Sequence, residues 1–328
     1  VSHIVVTGGA GFIGSHLCQA LVGRGDTVTC IDNFSSGIRE NVADLARSER
    51  FVLLEGDVTQ VAATVDGPVD AVAHLASLAS PVDYLAHPLE TLAVGSCGTE
   101  EVLRLAQDHN ARYVFASASA VYADPLVHPQ REDYWGNVDP IGPRSVYDES
   151  KRFSEALSAA YRRTLGTDVG IVRIFHTYGP RLRAGDGRVV SNFIVQALSD
   201  RPLTIYGDGS QTRSLCYVDD LVKGFIAMLG TDVLGPVNLG YPSELTLLDI
   251  AALVIRLTGS SSELVHLPLP QDEPTRRRPD ISRARELLGW EPSVTPEEGL
   301  EKTIDWFRRI AELRYDQSTD LPKLGLQP

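Results

Sequence analysis

At 328 residues the chain is long enough for one large α/β unit or two closely joined domains. Its 43% hydrophobic and 22% charged residues match soluble globular proteins and exclude a disordered or collagen-like chain, and no apolar run reaches the about 18 residues of a membrane span. A formal net charge of −13 argues against a nucleic-acid partner, so an anionic ligand has to be met by a local group of arginines.

Val1 leads straight into the β-branched run His3 to Thr7, so no signal peptide is expected. The four cysteines, Cys18, Cys30, Cys97 and Cys216, are scattered without metal spacing, which predicts reduced thiols in a cytoplasmic protein. The first strand breaks at Gly8, Gly11 and Gly14, spaced GxxGxxG, before a helical pattern through Leu21. The first glycine permits a tight turn, the second lets backbone approach a pyrophosphate, and the third allows close helix packing. A second strand, Asp26 to Asp32, ends in an acid roughly 20 residues past the glycines, where a ribose-binding carboxylate belongs. No arginine follows Asp32 immediately, so NAD is expected over NADP.

Phe51 to Glu55, Ala71 to Ala76 and Arg112 to Ser117 read as further strands, separated by helical stretches such as Leu89 to His109. This alternation predicts right-handed crossovers and a doubly wound parallel sheet. Ligands in such sheets bind at the strands' carboxyl ends, which brings Asp57, Val58, Ala76, Ser77, Ser117 and Ser119 to one crevice. Asp57 also suits a plain helix cap before Val58 and Thr59. His74 lies within a strand and reads as a packed core histidine.

Tyr147 and Lys151 stand four apart at the start of a helical register, so their side chains share a face about 5–6 Å apart at Cβ. A neighbouring ammonium favours the phenolate and lowers a phenol's pKa, which makes the pair a candidate proton handler. On spacing alone it also suits an ordinary surface contact.

After a sixth strand, Val169 to Phe175, the regular alternation ends. A helix is predicted from Asp186 toward Leu198, a short strand at Leu203 to Tyr206 and a Gly207-Asp208-Gly209 turn, segments that read as a lid rather than a sheet. Arg181, Arg188, Arg213 and the run Arg276 to Arg278 are candidates for a diphosphate or carboxylate. Beyond Asp219 and Asp220, a helix to Leu229 and a strand at Pro236 to Leu239 are expected to rejoin the cofactor domain. Helices are predicted over Leu245 to Thr258, Ile281 to Leu288 and Pro296 to Ile310. The expected division is therefore interleaved. Residues 1–178 with 214–242 form a Rossmann domain, 179–213 with 243–315 a smaller C-terminal α/β substrate lobe, and 316–328 a tail.

Over nearly its whole length the chain resembles the extended short-chain dehydrogenase/reductases that act on nucleotide sugars. TGGAGFIGSHL, DNFSSG, the YxxxK of YDESK and YGDGSQTRS carry that resemblance. ASPVDY, DPLVHPQ, YWGNVDPIGPRSVYDESKR, GRVVSNF and RRRPDI are similar to the narrower branch of UDP-glucuronic acid decarboxylases. The resemblance implies NAD-dependent conversion of UDP-glucuronic acid to UDP-xylose through a UDP-4-keto intermediate, with no metal, in a homodimer joined through the helices at 89–109 and 147–165. It implies Tyr147, Lys151, Ser119 and Arg277 as catalytic residues. It places the cofactor against Gly8, Gly11, Phe12, Ile13, Gly14, Asp32, Asn33, Phe34, Ser36, Gly37, Asp57, Val58, Leu75, Ala76, Ser77, Ser117, Tyr147, Lys151 and Arg181. The substrate is placed against Pro81, Tyr84, Ser119, His176, Arg188, Val190, Ser191, Tyr206, Gln211, Arg213 and Arg277.

The chain departs from this branch where the decarboxylases carry Thr-Ser-Glu and it has Ala118-Ser119-Ala120. His176 and Gly95 each replace an asparagine. The departures imply oxidation and decarboxylation with impaired reprotonation or re-reduction, so that some UDP-4-keto-pentose leaves. The alternatives are another nucleotide-sugar 4-epimerase or dehydratase, or a binding protein for NAD or a UDP-sugar without turnover.

Overall fold

The computed structural model describes residues 1–61, 65–270 and 274–317; the expected tail lies, from residue 318 on, outside them. Strand β1 (His3–Thr7) turns at Gly8 into helix α1 (Phe12–Arg24), which Gly25 closes in the left-handed conformation with its N–H on the Leu21 and Val22 carbonyls. Strand β2 (Thr27–Asp32) runs parallel to β1, followed by β3 (Phe51–Glu55), α2 (Val58–Val61) and β4 (Ala71–His74). Short helices α3 (Pro81–Ala86) and α4 (Pro88–Ala93) lead through a π-turn at Val94–Gly98 into α5 (Thr99–Asp108). Strand β5 (Arg112–Ala118), a 3-10 turn at Ser119–Tyr122, the long helix α6 (Ser145–Leu165) and β6 (Val169–Ile174) follow.

The chain then leaves the main sheet through β7 (Thr177–Tyr178), α7 (Val189–Leu198), β8 (Leu203–Tyr206), β9 (Thr212–Arg213) and β10 (Cys216–Tyr217). It returns by α8 (Val218–Leu229) and β11 (Val237–Leu239), which pairs with β6. The rest comprises β12 (Leu245–Thr246), α9 (Leu247–Thr258), β13 (Leu264–Leu267), β14 (Arg276–Arg277), α10 (Ser282–Leu288) and α11 (Pro296–Gln317).

Seven parallel strands in the order β11-β6-β5-β4-β1-β2-β3 make the central sheet. Successive side chains on a strand alternate faces. Ile4, Val6, Val28, Cys30, Val114 and Ala116 accordingly join one core cluster, while Val5, Ile31, Tyr113 and Phe115 join the other. Both faces are covered by helices, as the fold expected from the sequence requires. Strand order reverses between β1 and β4, which opens a crevice at their carboxyl ends.

One expectation is corrected. Among the described residues, the segments after β6 form three small sheets, β7 with β10, β8 with β13, and β12-β9-β14, rather than a lid. Leu203 and Ile205 are fully buried on the inner face of β8, so the short strand has a core of its own. The helix expected over Leu89 to His109 is present, continuous from Pro88 to Asp108 with the π-turn inside it. A Cβ on Gly95, within that turn, would fall 2.6 Å from the Ser150 Cβ, and the Gly95 carbonyl accepts from Ser154 Oγ at 2.7 Å. The turn is thereby pressed directly onto α6, and an asparagine side chain has no room at position 95.

Candidate active site

A cleft of about 1250 Å³ runs across the carboxyl ends of the central strands and under the smaller sheets. Its floor begins at the glycine turn. Gly8 has φ +70° and a Cβ there would lie 2.8 Å from the Ala76 nitrogen; a Cβ on Gly14 would lie 2.1 Å from the Gly8 carbonyl oxygen. A Cβ on Gly11 would meet only that same oxygen, at 3.1 Å, so the cleft side of Gly11 is bare backbone. This is the form a pyrophosphate needs beside the start of α1.

Asp32 ends β2 at the cleft, where its carboxylate accepts from the Ala10 nitrogen at 2.9 Å and the Phe34 nitrogen at 2.8 Å. Burial pushes this carboxyl up, against the downward pull of those amides. A Cβ on Gly37 would sit 2.7 Å from the carboxylate, so the loop leaves Asp32 just enough space. Arg39 does not reach the acid: it stacks at 4.0 Å on the Phe34 ring and pairs with Glu55. Together, bare glycine backbone and a carboxylate without a guanidinium partner among the described residues fit NAD. Asp57 combines both readings of the sequence. It caps α2 through the Thr59 nitrogen at 2.9 Å, lines the cleft, and accepts from Asn33 Nδ2 at 2.8 Å. Burial raises it, but the bonds from Thr59 and Asn33 prevail and hold it low.

Tyr147 and Lys151 occupy the first two turns of α6 and line the cleft. Lys151 is buried, donates to the Ala116 carbonyl at 2.9 Å, and lies 4.9 Å from the Phe115 ring centroid. Burial lowers it to about 7, with Glu155 pulling upward. Lys151 Nζ lies 5.8 Å from the centroid of the Tyr147 ring. Burial pushes Tyr147 up, against the downward pull of the Arg188 and Arg277 guanidiniums. Tyr84, from α3, stacks on the Tyr147 ring at 5.2 Å.

The substrate end is positively charged. His176, just past β6, is held uncharged, at about 3, by burial and by the neighbouring Arg188, Arg213 and Arg277. Arg277 lies on β14, alongside Arg213 of β9, and donates from Nε to the Ala123 carbonyl at 3.0 Å. Its neighbours Arg276 and Arg278 instead approach Glu244, at 3.7 and 4.0 Å. Alternation along a strand explains why one arginine of the three lines the cleft.

Of the residues expected on the cofactor side, all but Phe34 line the cleft, and on the substrate side all but Val190 and Ser191. Phe34, at φ +58°, turns its ring onto Arg39 and contributes only the amide that holds Asp32. Val190 and Ser191 are fully buried on the inner face of α7; Val189, Asn192 and Phe193, at i, i+3 and i+4, face the cleft. Ser117 contributes no free hydroxyl, because its Oγ donates to Glu155 at 2.6 Å. His74 is a core residue, bonded to Thr7 Oγ at 2.7 Å. Sequence reasoning missed Asn41, Leu78, Arg183, Asn192, Leu267 and Pro270 on the cleft wall. Helical phase within GRVVSNF could have found Asn192, whereas the others come from loops and an edge strand with no local signal.

The profile of the NAD dependent epimerase/dehydratase family matches residues 4–240. UDP-glucuronic acid decarboxylase 1 of Danio rerio is 50% identical over 309 residues, 94% of this chain and 73% of that protein. UDP-glucuronic acid decarboxylase 1 of Arabidopsis thaliana is 49% identical over 93% of this chain and 69% of its own length. Among solved structures, an epimerase from Methanothermobacter thermautotrophicus superposes with a TM-score of 0.88 at 30% identity, covering 96% of this chain and 94% of its own. UDP-glucuronic acid 4-epimerase from Bacillus cereus, in complex with UDP-glucuronic acid and NAD, gives 0.84 at 30% identity, with 94% and 99% covered.

Proposed function

The chain belongs to the NAD dependent epimerase/dehydratase family, and from that premise we propose that it decarboxylates UDP-glucuronic acid, through a UDP-4-keto intermediate, to UDP-xylose. The observation that carries this reading is the meeting, in one cleft, of Tyr147 and Lys151 with Arg277, beside a glycine turn and Asp32 that fit NAD. Identity of 50% to a UDP-glucuronic acid decarboxylase over 94% of the chain favours it over 4-epimerisation, where the likeness is 30%.

Gly8, Gly11, Gly14 and Asp32 would hold the NAD pyrophosphate and adenosine ribose, and Lys151 its second ribose. Bound NAD supplies the acceptor for hydride from sugar C4 and the donor that later returns it. Tyr147 takes the proton of the C4 hydroxyl, assisted by the positive charge of Arg188 and Arg277. The resulting ketone is β to the C6 carboxylate, so the C5–C6 electron pair can flow into the carbonyl as carbon dioxide leaves. Ser119 and Tyr147 are the donors for the enolate oxygen. Arg277 holds the ring while C5 is reprotonated, and Arg188, Arg213 and Gln211 take the diphosphate and nucleotide.

Ala118 and Ala120 flank Ser119 on the cleft wall and offer no acid or base. For that reason part of the product leaves as UDP-4-keto-pentose. Exposed Leu85, Leu89 and Leu92 on α3 and α4, with Phe153 on α6, support a homodimer through these helices, and four free cysteines support a cytoplasmic location. Residues 1–178 with 214–242 would serve as the cofactor domain and 179–213 with 243–315 as the substrate lobe. Mass spectrometry of UDP-glucuronic acid incubations, with and without added NAD, tests the reading: a UDP-pentose should form, and unaltered substrate in both would end it.

A further inference from the structure

Behind the cleft, a chain of buried polar contacts links the helix that carries Tyr147 and Lys151 to the strand that carries Arg277. Glu155 lies one helical turn beyond Lys151, on the same face of α6. Its Oε1 accepts from Ser117 Oγ at 2.6 Å and Arg173 Nε at 2.9 Å, and its Oε2 from Arg173 Nη2 at 2.7 Å. Arg173 Nη1 donates to the Tyr122 hydroxyl at 2.9 Å and the Glu132 carbonyl at 3.0 Å. Tyr122 in turn donates to Asn238 Oδ1 at 2.8 Å, and Asn238 Nδ2 donates to the carbonyls of Gln130, at 3.0 Å, and Asp280, at 3.2 Å. Gln130 is bonded to the Arg278 backbone in both directions, and Ala123, next to Tyr122, accepts from Arg277.

A buried ion pair of this kind adds little net stability, because both charges give up their hydration. Its place explains it better. Among the groups around Lys151, the Ala116 carbonyl and Phe115 ring of β5 carry no charge, and His74 of β4 is held neutral by burial and by Lys151 itself. Tyr147 on the same helix is a neutral phenol, and Arg173 of β6 is already spent on Glu155. Glu155 is thus the negative charge that acts on this ammonium.

We propose that Glu155 is a positioning residue for the dyad: clamped by Arg173 and Ser117, its carboxylate is the fixed counter-charge one helical turn from Lys151 and, through Arg173, registers the dyad helix against the Arg277 strand. The proposal rests on the function given above, and its test separates the two. The chain has four lysines, so selective 13Cε-lysine labelling allows Lys151 to be followed by NMR across pH in the full chain. Glu155→Gln is expected to move the Lys151 titration down by about one pH unit and the alkaline limb of kcat on UDP-glucuronic acid with it, while Glu155→Asp, whose shorter carboxylate stands back from the clamp, gives a smaller shift of both in the same direction. A merely structural role predicts a loss of activity that is uniform in pH, with Lys151 titrating as before, and that result overturns the proposal. Should Glu155→Gln fail to fold, Glu155→Asp is read against wild type: a downward shift in both readouts supports the proposal, and unchanged titration rejects it. Absence of wild-type turnover would count against the function alone, because the NMR titration still decides the role of Glu155.

Discussion

Tyr84 and Tyr147 stack face to face, with ring centroids 5.2 Å apart and planes within 7° of parallel. Tyr84 is almost fully buried in α3, so it fixes the ring plane of the phenol that is to take the C4 proton. Such pairs are worth about 0.5–1.5 kcal/mol. Tyr84→Leu should therefore lower kcat/KM roughly 2–10-fold, whereas Tyr147→Phe, which removes the proton acceptor, should cost about 10²–10⁴-fold. Steady-state kinetics on both, with circular dichroism to verify folding, makes the comparison; equal losses would mean that Tyr147 only packs.

Lys151 falls from an ordinary 10.5 to about 7 on folding. Between those values the unfolded chain binds more protons than the folded one, so this group's contribution to stability rises with pH. Its burial costs most below pH 7 and the cost fades toward pH 10. Lys151→Met, free of bound nucleotide, should be more stable than wild type at pH 6.5, by about 0.5–2 kcal/mol. The gain should shrink by pH 9. Denaturant titrations at the two pH values check it, and a gain independent of pH would show that Lys151 is not desolvated.

Asp32 is held by two amides and faces the cleft, and among the described residues no cationic side chain is bonded to it. Losing a charge-assisted hydrogen bond costs about 1.5–3 kcal/mol. Asp32→Asn should weaken NAD binding by roughly 10–100-fold and narrow the preference over NADP, as read by fluorescence titration. Gly37→Ala, which places a methyl 2.7 Å from the carboxylate, should act in the same direction.

Arg277 alone of its triplet lines the cleft. Arg277→Ala should reduce kcat/KM by at least about 100-fold, in line with a lost charge-assisted contact. Arg276→Ala and Arg278→Ala should stay within about threefold. Comparable losses across the three would place the substrate elsewhere.

Ala120 is buried at the cleft wall beside Ser119. Ala120→Glu should reduce the share of UDP-4-keto-pentose relative to UDP-xylose, measured by mass spectrometry. An unchanged ratio would dissociate product release from position 120.

Much of this was legible in the sequence because it is local. The glycine turn, the acid closing β2 and the four-residue spacing of Tyr147 and Lys151 are read from a few adjacent residues, and backbone geometry alone then places them. What escaped depends on long-range packing. Nothing around Glu155 tells that its carboxylate meets Arg173 and Ser117, which are 18 and 38 residues away. Arg173 reads as an interruption of an apolar strand. Burial pushes the Tyr147 phenol up, and the Arg188 and Arg277 charges that oppose this are brought by the fold from two other segments. That the side chains of Val190 and Ser191 turn into the core while Val189, Asn192 and Phe193 line the cleft is also hidden, because the apolar residues of GRVVSNF look alike until the core beneath α7 is known.

The most direct measurement uses UDP-glucuronic acid labelled with 13C at C6. In an incubation with the protein and NAD, the label should appear as 13C-bicarbonate, matched mole for mole by unlabelled UDP-pentose and 4-keto-pentose. Retention of the label in a UDP-hexuronic acid isomer, with no bicarbonate, would contradict decarboxylation and assign the cleft to 4-epimerisation.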